Sequence, residues 1–251
     1  MIVEYLRPKT VAEAIKLLSR PGTPGVVMAG GTGVRKKARL SDISVVDLQA
    51  LGLDGINVSE DWIEIGAMAS LNVIANHPQL PGAISRAIQL EGTSNTRNQA
   101  TIGGRLVACD GRSALITTLI AADALTVWDE QNMEVPLGEW LTLPDEKPGK
   151  LLVAVKLRRK ISLEMEVINK TKLDLPILCV AIAGWKGGRI RAAVGGFGKC
   201  PQMAFDGPNA DGIEAAVENA CRTSGDVHGS SEYRKAMSIV LTRRCLEGIR
   251  G

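Results

Sequence analysis

Apolar positions along this chain change period several times, and each change marks an element. Val11, Ala14, Ile15 and Leu18 recur at the spacing of one helix face, and Pro21-Gly22 closes the pattern. Thr10-Val-Ala-Glu13 ahead of that run has the form of a capping box, the threonine accepting from an orphan amide while the glutamate reaches back. Gly25-Val-Val-Met28 is a short apolar run that predicts a buried strand running into Ala29-Gly-Gly-Thr-Gly33. Further strands are expected from Ser44 to Leu48 and over Trp62-Ile-Glu-Ile65, whose alternation suits a half-buried strand.

Ser70 to Asn76 and Gly82 to Leu90 read as helices, kept apart by the prolines of His77-Pro-Gln-Leu-Pro81. Ser113 then opens ALITTLIAADAL, apolar on almost every side, which predicts a helix buried all round at the centre of the first half. Between Val135 and Lys150 the chain is rich in Pro, Gly and charge, so a boundary is expected there, dividing 1–150 from 151–251. Beyond it LLVAVKL, ILCVAIAGW and Ile190 to Val194 read as an antiparallel meander, with Lys186-Gly-Gly188 as a turn. A terminal helix carries Tyr233, Ala236, Met237, Val240, Leu241 and Cys245 as its apolar stripe, with Ser230 as the cap. Strands followed by helices give an α+β module.

Composition narrows the chemistry. A chain of 251 residues that is 45% hydrophobic but only 3% aromatic builds its core from Ala, Val, Ile and Leu. A net charge of +3 with one basic run, Arg35 to Arg39, lacks the distributed basic face that nucleic acid needs. Five widely spaced cysteines, Cys109, Cys179, Cys200, Cys221 and Cys245, show neither a disulfide framework nor a Cys-x-x-Cys motif, which fits the reducing cytoplasm. The start has no long apolar h-region, and no run of about 18 apolar residues appears, so neither export nor a membrane span is expected. With only His77 and His228, histidine-based metal or triad chemistry has almost no material; any chemistry falls to a bound cofactor.

Two double-glycine turns then stand out, AGGTG at 29–33 and TIGGR at 101–105. Such turns free backbone amides for an anion nest, and Thr32 and Thr101 add hydroxyl donors, which makes a pyrophosphate the natural guest. Taken alone each is equally a plain turn. Neither has the Rossmann G-x-G-x-x-G spacing, and no Gly-Lys-Ser/Thr follows either, so the P-loop is excluded.

AGGT after a strand, RNQATIGG some way on, a helix ending in AADAL, and DVHGSSEYRKAMSIVLTRRCLEGI at the end together resemble the FAD-binding medium subunit of the molybdenum hydroxylases, the xanthine dehydrogenase and carbon monoxide dehydrogenase group. The resemblance spans essentially the whole chain. It implies an α+β protein: a flavin domain over 1–150 of two α/β subdomains, split near 55, of the vanillyl-alcohol-oxidase type, then a C-terminal α+β domain over 151–251. It further implies that FAD pyrophosphate sits between Ala29, Gly30, Gly31, Thr32, Gly33 and Val34 on one side and Thr101, Ile102, Gly103, Gly104 and Arg105 on the other, through backbone amides and the two threonine hydroxyls. The implied partners are a [2Fe-2S] small subunit and a molybdopterin large subunit, with NAD or another acceptor taking the electrons. No catalytic acid, base or nucleophile and no metal ligand is expected in this chain.

Departures from the family pattern fall at the cofactor. Gly33 and Val34 stand where members usually have Asp-Leu, Arg105 replaces an asparagine, Ala114 stands where most have an aspartate that bonds the ribityl chain, and His228 replaces an arginine. The resemblance puts Lys170 in the place of a lysine that approaches the flavin in some members. These changes open a second reading, a structural subunit that has lost the flavin; against it, both glycine pairs are retained. A stand-alone flavin oxidase ranks last, for want of a substrate domain and a covalent-flavin histidine.

Overall fold

In a computed structural model the chain is described over residues 1–33, 41–129, 131–143, 151–171 and 174–250. Val34, the basic run Arg35 to Arg39, and the last part of the expected boundary stretch, 144–150, lie outside the described residues. Two compact units divide the chain, each assembled from three segments: Met1–Ile74, Ser94–Ala108 and Leu125–Lys156 in one, Ala75–Thr93, Cys109–Ala124 and Leu157–Gly251 in the other.

The first unit holds two sheets. Parallel strands β1 (Ile2–Leu6), β2 (Gly25–Met28) and β3 (Ile43–Asp47) form the smaller, in the order β1-β3-β2. Helix α1 (Val11–Leu18) makes the crossover between β1 and β2, as parallel pairing requires. The central β3 is buried at every position, while β2 is an edge strand with Val27 exposed, so the expectation of a buried strand there is corrected to a half-buried one. The larger sheet runs β4-β5-β8-β6-β7, from β4 (Ile56–Val58), β5 (Trp62–Gly66), β6 (Leu125–Trp128), β7 (Met133–Pro136) and β8 (Leu152–Arg158). Val46 of β3 and Leu48 just after it share a core with Ala14 of α1, with Val127 and Val153 of the larger sheet and with Leu151 just ahead of β8. LLVAVKL, expected to begin the C-terminal meander, is therefore β8, paired antiparallel with β6.

The cap of α1 forms as its sequence predicts. Thr10 Oγ1 accepts from the Glu13 amide at 3.2 Å, and the Glu13 carboxylate accepts from the Lys9 amide at 2.9 Å. Thr10→Ala should cost about 1 kcal/mol, lowering Tm by roughly 2–4 °C in calorimetry.

Short helices α2 (Leu71–Ala75), α4 (Ser94–Gln99), α5 (Ile102–Ala108) and α7 (Leu137–Thr142) complete the first unit, with Ala75 belonging to the second. The second unit is built on an antiparallel meander of β9 (Ser162–Ile168), β10 (Leu178–Gly184), β11 (Ile190–Gly195) and β12 (Gln202–Gly207). Helices α8 (Ile213–Ala220) and α9 (Ser231–Arg250) cover the sheet through Ile213, Val217, Leu241 and Cys245 against Val180, Ile182 and Val194. Helix α6 (Ala114–Ala121), buried at all eight positions, packs on β10 and β11 with α3 (Gly82–Gln89) beside it. Its all-round burial matches the pattern, but apart from α3 its partners are the C-terminal strands rather than the first half of the chain. Ser113 caps it by accepting from the Ile116 amide at 3.1 Å, and its buried hydroxyls Thr117 and Thr118 bond carbonyls one turn back at 2.8 Å.

The apolar stripe expected on α9 is rotated. Tyr233, Ala236 and Val240 are exposed, and the inward row is Arg234, Ser238, Leu241, Thr242 and Cys245. Arg234 is wholly buried and acts as a hub: Nε donates to the Ile177 carbonyl at 2.8 Å, Nη1 to those of Ser224 and Gly229, and Nη2 to the Gly196 carbonyl at 3.3 Å and Asp226 Oδ1 at 2.9 Å. Phe197 lies across the guanidinium, 5.4 Å away. Burial pushes the Asp226 carboxyl up, but the Arg234 hydrogen bond and the His228 and Gly229 amides outweigh it and hold the group below its ordinary value. His228, which replaces the family arginine, stands with Nε2 3.1 Å from Arg112 Nη1. Cys109 and Cys200, widely separated in sequence, are paired as a disulfide, contrary to the expectation that no cysteine is paired.

Candidate functional site

The site grows from two backbone crossings in the first unit. β2 ends in Met28, and Ala29-Gly30 leaves the sheet directly against the chain that joins α4 to α5. A Cβ built on Gly30 would stand 1.7 Å from the Gln99 carbonyl oxygen and 3.3 Å from Ala100 Cα, so only glycine lets these two segments meet. Gly31 takes the left-handed conformation, φ 73°. Among the described residues, the amides of Gly30, Gly31, Thr32 and Gly33 donate no hydrogen bond. They are the raw material of an anion nest.

The second glycine pair is used differently from the expectation. Gly103 and Gly104 have ordinary negative φ and lie inside α5, not in a turn. Gly103 is needed because a Cβ there would fall 2.8 Å from the Ala67 carbonyl and 2.9 Å from Ala67 Cβ. Four of the amides assigned to a ligand are already engaged: Ile102 N donates to Ala69 O at 3.1 Å, Gly103 N to Ala67 O at 2.9 Å, Gly104 N to Thr101 Oγ1 at 3.1 Å and Arg105 N to Thr101 O at 3.0 Å. Ile102 is a core side chain with no exposure. What this segment offers a ligand is the Thr101 hydroxyl, which keeps its own proton to donate while accepting from Gly104.

Thr101 and Gly30 open on one cleft of about 350 Å³, lined also by Ala29, Gln49, Asp54, Ser70, Asn98 and Gln99. Of the residues singled out from sequence, the structure thus gathers Ala29, Gly30 and Thr101 at the cleft; Gly31, Thr32 and Gly33 continue the loop beside it, with Thr32 and Gly33 exposed. Gly104 is exposed and Arg105 half-buried on α5, away from the cleft lining. Ala114 is buried inside α6, and Lys170 is exposed just after β9, both in the second unit.

Gln49 and Asp54 were not foreseen, although Asn98 and Gln99 belong to the quoted RNQATIGGR. Gln49 is held by its neighbours. Its amide donates to Asp47 Oδ1 at 3.0 Å, and Arg7 Nη2 donates to its Oε1 at 2.8 Å. Burial raises the Asp47 carboxyl, yet hydrogen bonds from Tyr5, the Gln49 amide and Arg7 prevail and keep it ionised well below the usual range. A lone glutamine just after a strand carries no sequence signal of this kind, since its place depends on Arg7, which follows β1, and on Asp47 of β3.

Taken together, the cleft presents backbone amides, the hydroxyls of Ser70 and Thr101, the amide side chains of Gln49, Asn98 and Gln99 and a single carboxylate, Asp54, with no histidine or cysteine among its lining residues. Among the described residues no group of three His, Cys, Asp or Glu is placed to hold a metal ion, and no helix is long and apolar enough to cross a membrane. The cleft suits a group whose anionic portion is bound by backbone.

The family model described as the FAD binding domain in molybdopterin dehydrogenase matches residues 1–158. The uncharacterized protein YgfM of Escherichia coli K12 is 27% identical over 247 residues, covering 96% of this chain and 94% of that one. The carbon monoxide dehydrogenase medium chain of Hydrogenophaga pseudoflava is 25% identical over 285 residues, covering 97% and 95%. The solved carbon monoxide dehydrogenase of the same organism superposes with a TM-score of 0.83 at 22% identity, over 99% of this chain and 97% of that chain, and so shares its fold.

Proposed function

Because the chain belongs to the family of FAD-binding domains of molybdopterin dehydrogenases, we propose that it is the electron-transfer subunit of a molybdenum hydroxylase complex, taking electrons from [2Fe-2S] clusters on a small partner subunit and delivering them to NAD or another acceptor. A molybdopterin large subunit would feed those clusters, and the cytoplasm is the setting this reading implies. FAD is the cofactor of the family, and when bound it supplies the step between one-electron and two-electron carriers.

The observation that carries the reading is the Gly30 crossing. Two segments far apart in sequence meet with no room for a side chain, Gly30 and Thr101 line one cleft, and the amides of Gly30 to Gly33 donate no hydrogen bond among the described residues. We assign the pyrophosphate to those amides and the Thr101 hydroxyl, which bind it without a lysine or a metal. Ala29, Asn98 and Gln99 shape the cleft around it.

The engaged amides of Ile102, Gly103, Gly104 and Arg105 favour, as a second reading, a structural subunit with little flavin. One measurement separates the two. The purified chain is incubated with FAD, desalted and scanned, and the flavin is released with acid and identified. Near-stoichiometric FAD, bleached by dithionite, is the expected result. Protein that emerges without flavin, alone and with its partner subunits, would turn the assignment to the structural reading.

A further inference from the structure

Cys109 and Cys200 lie 91 residues apart in sequence, yet their Cα atoms are 5.9 Å apart, within disulfide range. Both are half-exposed, whereas Cys179, Cys221 and Cys245 are buried. Burial pushes the Cys179 thiol up to about 12, the Cys221 thiol up to about 11, and the Cys245 thiol upward as well. A reagent in solution that needs a thiolate therefore meets this pair and passes over the other three.

The pair is also held in register by contacts that do not involve sulfur. Gly196 N donates to Gly111 O at 2.8 Å. A Cβ on Gly111 would stand 2.2 Å from the carbonyl oxygens of both Phe197 and Gly198, so the segment after Cys109 lies directly on the segment before Cys200. Arg112 adds bonds from Nε to Pro176 O at 2.9 Å and from Nη2 to Leu175 O. With both segments fixed, a thiol on one faces its partner at high effective concentration, and ring closure needs little further ordering.

We propose that Cys109 and Cys200 form a reversible thiol–disulfide switch that responds to small disulfides such as glutathione disulfide. The thiolate of one cysteine attacks the glutathione disulfide and expels one glutathione; the second thiolate attacks the resulting mixed disulfide, closes the Cys109–Cys200 bond and expels the other. Two protein thiols are oxidised, one external disulfide is reduced, and the two protons end on the two glutathione thiols. Closure pins the chain between α5 and α6 to the β11–β12 connection and removes freedom from the unfolded chain. Reduction leaves the Gly196–Gly111 bond and the Arg112 contacts as the remaining ties.

The test uses the full chain, reduced with dithiothreitol and then equilibrated in glutathione buffers of increasing oxidised fraction. Iodoacetamide under native conditions should label two cysteines in the reduced protein and none in the oxidised one, with the other three labelled only on unfolding. Intact mass should fall by two hydrogens on oxidation, and Tm should rise by about 5–10 °C. Cys109→Ser and Cys200→Ser should each fix Tm at the reduced value under every buffer. A wild-type protein whose Tm is the same at both ends of the buffer series, or whose pair stays labelled in fully oxidised glutathione, overturns the proposal without recourse to a variant.

Discussion

Replacing Gly30 with alanine is expected to raise the Kd for FAD at least about 100-fold, equivalent to roughly 2.7 kcal/mol. The added methyl would lie 1.7 Å from the Gln99 carbonyl oxygen and 2.7 Å from its carbon, both backbone atoms, so no rotamer change relieves the overlap. Either the β2 exit or the α4–α5 link must withdraw, and each carries part of the proposed pyrophosphate cradle. Two neighbours provide the comparison. Gly33→Ala meets nothing within 4 Å and has no positive φ, so it should bind flavin almost as the parent does. Gly31→Ala has space but must hold φ near 73°, which costs about 1–2 kcal/mol. Fluorescence titration of flavin into the three proteins checks the order. Equal affinity for the Gly30 and Gly33 variants would show that the two segments part when the cofactor binds.

Removing the buried Arg234 guanidinium should produce a large loss of stability. Arg234→Leu leaves the carbonyls of Ile177, Ser224, Gly229 and Gly196, with the Asp226 carboxylate, without their common donor. Stripping one partner from a buried charged cluster costs about 3–5 kcal/mol, so Tm should drop by roughly 10 °C or more. Arg234→Lys keeps the charge but not the fork and should recover only a fraction. By contrast Arg243→Leu, which breaks an exposed pair with Glu214 at 2.8 Å, should leave Tm almost unchanged.

Acid sensitivity follows from the same cluster. The folded-state pKa of Asp226 is depressed, so its contribution is present above the unfolded value of about 4 and is lost as pH falls through the folded value. Asp226→Asn should therefore flatten the stability curve below about pH 4 while leaving its neutral slope unchanged. A parent and variant that lose stability in parallel there would place the acid response elsewhere.

Periodicity served well where one face of an element decides its burial. α1, β5, α3 and α6 all announce themselves by their apolar pattern, because the faces they bury are mainly apolar. It failed on α9, where the core position is an arginine: Tyr233 and Val240 look like better candidates until four carbonyls from loops scattered over the second unit supply Arg234 with its bonds. β9 was missed although SLEMEVI alternates cleanly, its two glutamates drawing attention from the strand period. The glycine pairs were legible as something unusual, but not as what they are. Gly30 and Gly103 are there to admit a neighbouring carbonyl, and that demand lies in residues distant along the chain; only Gly31 has the left-handed turn that the motif suggests.

The burial of α6 bears on how the protein is made. Its partners β10 and β11 are encoded well after it, so on the ribosome this largely apolar helix emerges with α3 already made but the strands that cover the rest of it still missing. At about 5–20 residues per second the nascent chain carries that exposed segment for several seconds. Synthesis in a chaperone-depleted extract should thus yield soluble protein poorly, and a release after residue 150 should yield none of the second unit, because two of its three segments would already be made and the third would never arrive.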